Sequence, residues 1–210
     1  MSEYAVRERI TQLGRSLFQR RYTSGSSGNI SVRLPDGILI TPTNACLGEL
    51  TEDRISKVDW SGNHIAGDRP SKEAFLHLAM YRQRPDDSAI VHLHSTWSVA
   101  VSCLADIDPA NVLPPITAYY VMRVGKLPLI DYYPPGDVGL AQAVEAKARQ
   151  AHSLLLANHG PVVAGKSLEA AGAAIEELEE TARLYMLLRG LPVRFLTSDQ
   201  VRQLQERFSE

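Results

Sequence analysis

The chain has 210 residues, of which 44% are hydrophobic, and its 22 basic and 24 acidic residues leave a net charge of −2. This near balance argues against a nucleic-acid or anionic-membrane partner, and no apolar run approaches the roughly 20 residues that span a bilayer. The length suffices for one sizeable core, so we expect a single domain over residues 1–210. The N-terminus lacks the apolar stretch of a signal peptide, and we therefore expect a cytoplasmic protein.

The first predicted elements are a helix and a hairpin. Apolar residues spaced three to four apart predict an amphipathic helix over residues 4–22. A glycine- and serine-rich turn follows at 23–29, and residues 30–34 and 37–41 are predicted to pair around the turn at 35–37. The free amides and hydroxyls of the glycine-rich turn can enclose an anion, or the turn can simply reverse the chain.

A second helix is predicted where proline and serine precede an apolar-periodic run, which places Ser71, Lys72 and Glu73 on its first turn. Free amides at such an end attract anions, and Lys72 adds a charged donor. A glutamate in a first turn is usually a solvated carboxylate. On pattern alone, His77 is a core residue or a neighbour of a site rather than a metal ligand.

The strongest chemical signal is a pair of histidines in a short apolar run. Residues 89–94 are predicted to form a strand, and because side chains alternate along a strand, His92 and His94 lie on one face. His159 ends a second apolar run before Gly160 and Pro161, and is the candidate third ligand. Three neutral imidazoles with an open position are typical of catalytic zinc. The alternative is a structural role, in which the histidines only form hydrogen bonds at the ends of the strands and bind no metal.

Residues 114–125 mix apolar residues, two adjacent tyrosines and chain breakers. This composition favours an active-site loop or an interface segment, although ordinary packing of Tyr119 and Tyr120 is the alternative. Further along the chain, residues 138–150 are predicted to be helical, and a long helix with an alanine-rich face begins at Ser167.

Together these motifs resemble the class II aldolase family of fuculose-phosphate aldolase and ribulose-phosphate epimerase. The resemblance extends from about Arg7 to Arg189. It is carried by GSSGNIS at 25–31, TPT at 41–43, SKE at 71–73, HLH at 92–94 and NHGP at 158–161.

The resemblance implies an α/β fold, a three-layer α/β/α sandwich around a central mixed, mostly antiparallel sheet. It implies Zn²⁺, or another divalent metal such as Mn²⁺ or Co²⁺, on His92, His94 and His159, with Glu73 beside the metal as acid and base. It implies phosphate binding at Gly28, Asn29, Thr43 and Ser71, and a homotetramer whose active sites lie at subunit interfaces.

The sequence departs from the family's aldolases at two positions of the anion pocket, Asn44 and Lys72. Within the family it most resembles the 3-oxo-tetronate 4-phosphate decarboxylases, especially in PPITAYYVMRVGKLP at 114–128. Our hypothesis is that Lys72 or Arg123 binds substrate anions. Tyr119 or Tyr120 would reach the reacting end of the substrate, from a neighbouring subunit.

This subfamily resemblance implies decarboxylation of 3-oxo-tetronate 4-phosphate to dihydroxyacetone phosphate and carbon dioxide through a metal-bound enediolate. Glu73, with a pKa raised by burial, would protonate C2. A sugar-phosphate aldolase or epimerase is the alternative, because the same metal site would serve it. A non-catalytic adducin-like interaction module is the second alternative, and the retained histidines and Glu73 argue against it.

Overall fold

The computed structural model describes residues 2–134 and 136–208, so Met1, Pro135, Ser209 and Glu210 of the predicted domain lie outside the described residues. Within them, one eight-stranded sheet has the strand order β4-β3-β2-β1-β5-β8-β7-β6. Its strands are β1 (Asn29–Leu34), β2 (Gly37–Ile40), β3 (Ser56–Asp59), β4 (His64–Ala66), β5 (Ala89–His92), β6 (Leu129–Ile130), β7 (Ser153–Leu156) and β8 (Gly160–Gly165). Strands β6 and β7 are parallel, and the other neighbouring pairs are antiparallel.

The α-helices are α1 (Glu3–Gln19), α2 (Ala74–Gln83), α3 (Thr96–Ser102), α4 (Ala118–Arg123), α5 (Val138–Ala148), α6 (Leu168–Leu188) and α7 (Ser198–Phe208). Two short 3-10 turns lie at Leu47–Glu49 and Glu52–Arg54. Among the helices of the described residues, none combines the length and the apolar character needed to cross a bilayer.

The sheet separates two apolar cores. Because side chains alternate along each strand, Ile90 packs in the core covered by α2 and α5, and Val91 packs in the core covered by α1, α3 and α6. Strand β7 divides in the same way, with Leu155 facing one core and Leu154 the other. The predicted three-layer α/β sandwich with a mostly antiparallel sheet is thereby confirmed.

Several local predictions hold and others shift. The predicted hairpin is present as β1 and β2, and Ser167 caps α6 through a hydrogen bond from the backbone N–H of Ala170. The second helix begins at Ala74 rather than at Ser71, so Glu73 is its N-cap residue. Residues 114–125, predicted as a loop or interface segment, contain α4. Strand β4 was not predicted, since its three residues are all exposed.

Candidate metal centre

The candidate site lies where β5 ends, and two glycines let neighbouring chain segments approach that end. Gly28 has φ 79°, and a Cβ there would lie 2.8 Å from the carbonyl oxygen of His92. A Cβ on Gly160 would lie 2.2 Å from the carbonyl oxygen of Leu93. Any larger side chain at these positions would push the start of β1 or β8 away from the histidine strand.

The three predicted histidines converge with Glu73 into one cluster. The Nε2 atom of His94 lies 3.1 Å from Nε2 of both His92 and His159. The Glu73 carboxylate oxygens lie 3.4 Å from Nε2 of His92 and 3.1 Å from Nε2 of His159. One potential ligand atom from each of the four residues falls within 4.8 Å of every other. Three imidazole nitrogens and a carboxylate form a donor set suited to a divalent cation.

The surroundings of His92 and His94 favour the neutral ring that a metal ligand requires. Nδ1 of His92 lies 2.8 Å from the carbonyl oxygen of Pro161, so Nδ1–H donates there and the lone pair of Nε2 faces the cluster. Burial, together with its histidine neighbours, lowers the pKa of His92 to about 4 against the opposing effect of Glu73. Burial and the nearby His159 also lower the pKa of His94. Near neutral pH these rings therefore carry the free electron pairs that metal binding requires.

Glu73 is held in its ionised form. Burial acts to raise the pKa of Glu73, but the electrostatic effect of the His92 imidazole and the hydrogen bonds with His159 and the Asn29 amide outweigh burial and leave that pKa below its ordinary value. The expectation of a raised pKa is therefore wrong for the chain alone. The reason is that the imidazole and amide groups facing this carboxylate act more strongly than its loss of solvent.

A chain of buried hydrogen bonds continues from Glu73 between α2 and β1. Nδ2 of Asn29 donates to Glu73 at 2.6 Å, and Oδ1 of Asn29 lies 2.5 Å from Nε2 of His77. Nδ1 of His77 lies 2.7 Å from the hydroxyl of Ser31, which lies 3.0 Å from the hydroxyl of Tyr81. Sequence reasoning left His77 as either a core residue or a neighbour of the site, and it missed the roles of Ser31 and Tyr81. Polar residues alternating with apolar ones along β1 were the available signal.

The residues predicted to bind phosphate come from three segments near the starts of β1 and α2, namely Gly28, Asn29, Thr43, Asn44, Ser71 and Lys72. Two of these segments are joined by an isolated bridge between Pro42 and Pro70. The backbone N–H of Thr43 donates to the carbonyl of Arg69 at 3.0 Å. The predicted anion-binding segments are therefore neighbours in space.

These segments also adjoin the histidine cluster. The backbone N–H of Glu73 donates to the Ser71 hydroxyl at 3.2 Å, so Ser71 lies directly beside the cluster. Asn44 has φ 56°, a left-handed conformation that asparagine tolerates better than most residues. Lys72 is exposed next to Glu73 in the chain.

A cavity of about 610 Å³ opens beside His94 and His159, and its other lining residues include Tyr132, Tyr133 and Asn158. A second cavity of about 530 Å³ lies on the side of His94 that faces the glycine-rich turn. A ligand can therefore reach the cluster from solvent.

The predicted residues of the 114–125 segment are not brought to this cluster within one chain. Tyr119, 59% exposed, and Arg123 line a separate cavity of about 770 Å³ that shares no described residue with the cavity beside the histidines. Tyr120 is buried, and its hydroxyl donates to the carbonyl of Leu113 at 3.4 Å. The expectation that Tyr120 reaches substrate is therefore corrected: its ring fills the core, because neighbouring residues of a helix point in different directions.

A buried glutamate that sequence reasoning missed supports the segment after His94. Glu179 of α6 is 5% exposed and accepts hydrogen bonds from the backbone N–H groups of Trp97 and Ser98, each at 2.8 Å. It thereby satisfies amides at the start of α3 that would otherwise lack partners. A charged residue within the apolar stripe of α6 was the available signal.

The sequence and the fold both have known relatives. Residues 8–186 match the family described as class II aldolase and adducin N-terminal domain. The chain is 50% identical over 204 residues to a 3-oxo-tetronate 4-phosphate decarboxylase of Escherichia coli strain K12, covering 97% of this chain and 96% of the relative. It is 38% identical over 181 residues to an L-fuculose phosphate aldolase of Methanocaldococcus jannaschii, covering 86% and 96%. The crystal structure of Escherichia coli YgbL, titled as an aldolase, epimerase or decarboxylase, superimposes with a TM-score of 0.94 at 49% identity, covering 97% and 99%.

Proposed function

Because the chain belongs to the class II aldolase and adducin family, we propose that it is a decarboxylase converting 3-oxo-tetronate 4-phosphate to dihydroxyacetone phosphate and carbon dioxide. The observation that carries this proposal is near full-length similarity to decarboxylases of that name, which exceeds the similarity to the fuculose-phosphate aldolases. The enzyme class is a carbon-carbon lyase, specifically a carboxy-lyase.

His92, His94, His159 and Glu73 would hold the cation, which we propose to be Zn²⁺, with Mn²⁺ or Co²⁺ as alternatives. The fit is supported by the compact donor set and by the Pro161 carbonyl that fixes the tautomer of His92. A divalent cation bound there would supply Lewis acidity at the reacting end of the substrate.

Glu73 is the proposed acid and base. Loss of carbon dioxide breaks the bond between C1 and C2 and leaves its electron pair on C2, delocalised toward the C3 carbonyl. A proton must then reach C2 to complete dihydroxyacetone phosphate. Because Glu73 is ionised at rest, it must first take up a proton, for which the C2 hydroxyl of the substrate is a source, before it delivers one to carbon. The C2 oxygen then regains a proton from solvent, so the reaction consumes one solvent proton overall.

The phosphate end of the substrate is assigned to Gly28, Asn29, Thr43, Asn44, Ser71 and Lys72. The paired loops at Pro42 and Pro70 support this assignment, since they bring together the segments that carry Thr43 and Ser71, and the Ser71 hydroxyl lies beside Glu73. The N-terminal end of α2 favours negative charge, and Lys72, one residue before Glu73, adds a positive charge there.

Tyr119 and Arg123 are assigned to the active site of a neighbouring copy, with Tyr119 as a catalytic residue and Arg123 as an anion ligand. Their exposure and their stacking, with the guanidinium 5.4 Å from the ring centroid, support this role. We accordingly propose a homotetramer with interfacial sites. Residues 1–210 are proposed to form one domain, working in the cytoplasm where a charged phosphorylated substrate is retained.

The test is to supply the metal-loaded protein with 3-oxo-tetronate 4-phosphate and, separately, with fuculose 1-phosphate. We expect carbon dioxide and dihydroxyacetone phosphate from the first substrate and no appreciable aldehyde from the second. Aldehyde release from fuculose 1-phosphate without decarboxylation of the tetronate would favour the aldolase alternative. Turnover of neither substrate, together with no uptake of divalent metal, would favour a non-catalytic module.

A further inference from the structure

Strand β1 and helix α2 carry polar residues at matching intervals. Asn29 and Ser31 are two positions apart on the face of β1 that covers α2, a separation of about 7 Å along a strand. Glu73, His77 and Tyr81 recur every four residues, a rise of about 6 Å per step along a helix. The two rows therefore interleave, and each β1 side chain meets two side chains of the α2 row.

The order of donors and acceptors along these five interleaved side chains follows from the charge on Glu73. The ionised carboxylate can only accept, so the Asn29 amide turns its Nδ2 toward Glu73 and its Oδ1 toward His77. Nε2 of His77 must then carry the proton, and Nδ1 accepts from the hydroxyl of Ser31. His77 is fully buried, and because Nε2 donates to Asn29 while Nδ1 accepts from Ser31, its ring is neutral.

We propose that His77 is a positioning residue for the reaction: it locks the Asn29 amide so that Nδ2 holds the Glu73 carboxylate against the histidine cluster. This role rests on the proposed function, in which Glu73 moves the proton. The backbone N–H of His77 donates to the carbonyl of Glu73 at 3.3 Å, but the His77 ring hydrogen-bonds to Asn29 and Ser31 and acts on the Glu73 carboxylate through Asn29.

The physical basis of this role is that an amide has two ends of similar shape and opposite polarity. Without the Nε2–H donor of His77, Oδ1 of Asn29 is left buried with no hydrogen-bond partner, which is costly. The amide then gains by shifting until Oδ1 meets water or another donor, and that shift carries Nδ2 away from the carboxylate. Glu73 would lose its 2.6 Å donor and the fixed position from which it delivers a proton.

The proposal differs from two simpler explanations for these residues. If His77 only fills the core, its replacement should lower stability, as the loss of any buried side chain does, and should leave kcat unchanged. If the side-chain amide of Asn29, and not only its backbone, binds the substrate phosphate, disturbing that side chain should raise KM and leave kcat unchanged. A positioning role predicts the opposite division, a loss in kcat with KM preserved.

The experiment compares His77→Leu, His77→Gln and a matched core variant, Val144→Ala, in the metal-loaded protein. Val144 is fully buried in the same core as the apolar residues of α2, and it controls for loss of packing. We expect His77→Leu to lower kcat by about tenfold, the scale seen when an outer hydrogen-bond partner is removed, with KM within about twofold. His77→Gln, whose amide N–H can replace Nε2–H, should recover most of this loss. Val144→Ala should lower Tm and leave kcat unchanged.

A second readout does not depend on activity. Spectra of the protein labelled with ¹⁵N at histidine should show His77 as the neutral Nε2–H tautomer, with and without added Zn²⁺, in the wild type and in Val144→Ala. A protonated ring or the Nδ1–H tautomer would overturn the proposal. So would a His77→Leu protein that keeps the wild-type kcat, or one whose only change is a higher KM.

A failure of the proposed function can be distinguished from a failure of the positioning role. If the wild-type protein takes up metal but does not decarboxylate the tetronate phosphate, the decarboxylase assignment is wrong, whatever the histidine spectra show. If the wild type is active and the His77 variants match it, the positioning role alone is wrong.

Discussion

Glu179 and Ser98 join α6 to the start of α3 through two hydrogen bonds to one carboxylate oxygen. Oε2 of Glu179 accepts from the backbone N–H of Ser98 at 2.8 Å and from its hydroxyl at 2.7 Å. Because α3 begins two residues after His94, this buried carboxylate fixes the chain on which one proposed metal ligand is mounted.

We expect Glu179→Ala to destabilise the metal-loaded protein by about 3 kcal/mol, because buried donors at the start of α3 lose their acceptor. The affinity for Zn²⁺ should also fall by about tenfold. Urea unfolding and metal titration measure the two effects. The control is Glu180→Ala, which removes an exposed carboxylate from the same helix and should change stability by less than about 0.5 kcal/mol. Equal effects of the two variants would contradict the role of Glu179.

Removal of the metal should abolish activity. Dialysis against a chelator should inactivate the protein, and Zn²⁺, Mn²⁺ or Co²⁺ should restore turnover to an extent that identifies the preferred ion.

His92→Ala should weaken metal binding by more than about a hundredfold, because it deletes a ligand rather than an outer partner. His64→Ala, at an exposed histidine outside the cluster, should bind metal normally. If His92→Ala keeps both bound metal and turnover, the assignment of the metal site is wrong.

Glu73→Gln should separate metal binding from proton transfer. Three imidazoles remain to hold the cation, while an amide cannot exchange the proton, so kcat should fall by about 10²–10⁴-fold. Metal content by elemental analysis, measured on the same preparation as kcat, checks both parts. Full activity in this variant would remove Glu73 from the mechanism.

The stability of the metal-free protein should depend on His77 at acidic pH. The folded-state pKa of about 3 lies below the ordinary value of 6.5, so between these values the unfolded chain binds a proton that the folded chain does not. The free energy of unfolding should therefore fall as pH decreases from about 6.5 toward 3. His77→Leu should show a shallower fall. Urea unfolding across this range measures the difference, and parallel curves would contradict it.

Subunit complementation tests whether Tyr119 and Arg123 serve a neighbouring copy. His92→Ala and Arg123→Ala should each be nearly inactive alone. After unfolding and refolding together, random mixing should restore about a quarter of the wild-type activity, because that fraction of sites combines two intact contributions. If the mixture stays inactive although hybrid oligomers form, His92 and Arg123 of the same chain serve the same active site.

The sequence by itself determined the parts of this protein that depend on local periodicity. Alternation along one strand placed His92 and His94 on the same face, and the run ending at His159 gave the third imidazole. The β1–β2 hairpin and the capped start of α6 followed from turn and capping residues. The family's motifs indicated the sandwich fold and the decarboxylase-like relatives before any distance was known.

Only the tertiary structure decided which groups face one another across elements. Glu73 and His77 lie on α2, and their contacts with Asn29 depend on how that helix packs across β1, which no local pattern specifies. The lowered pKa of Glu73 likewise reflects imidazole and amide groups brought from distant parts of the chain. Tyr119 and Tyr120 are adjacent in sequence, yet one is exposed and the other is buried, because packing of α4 sets which side of the helix meets the core. Residue types and spacing define the available donors and acceptors, whereas distances and protonation states arise from the three-dimensional environment.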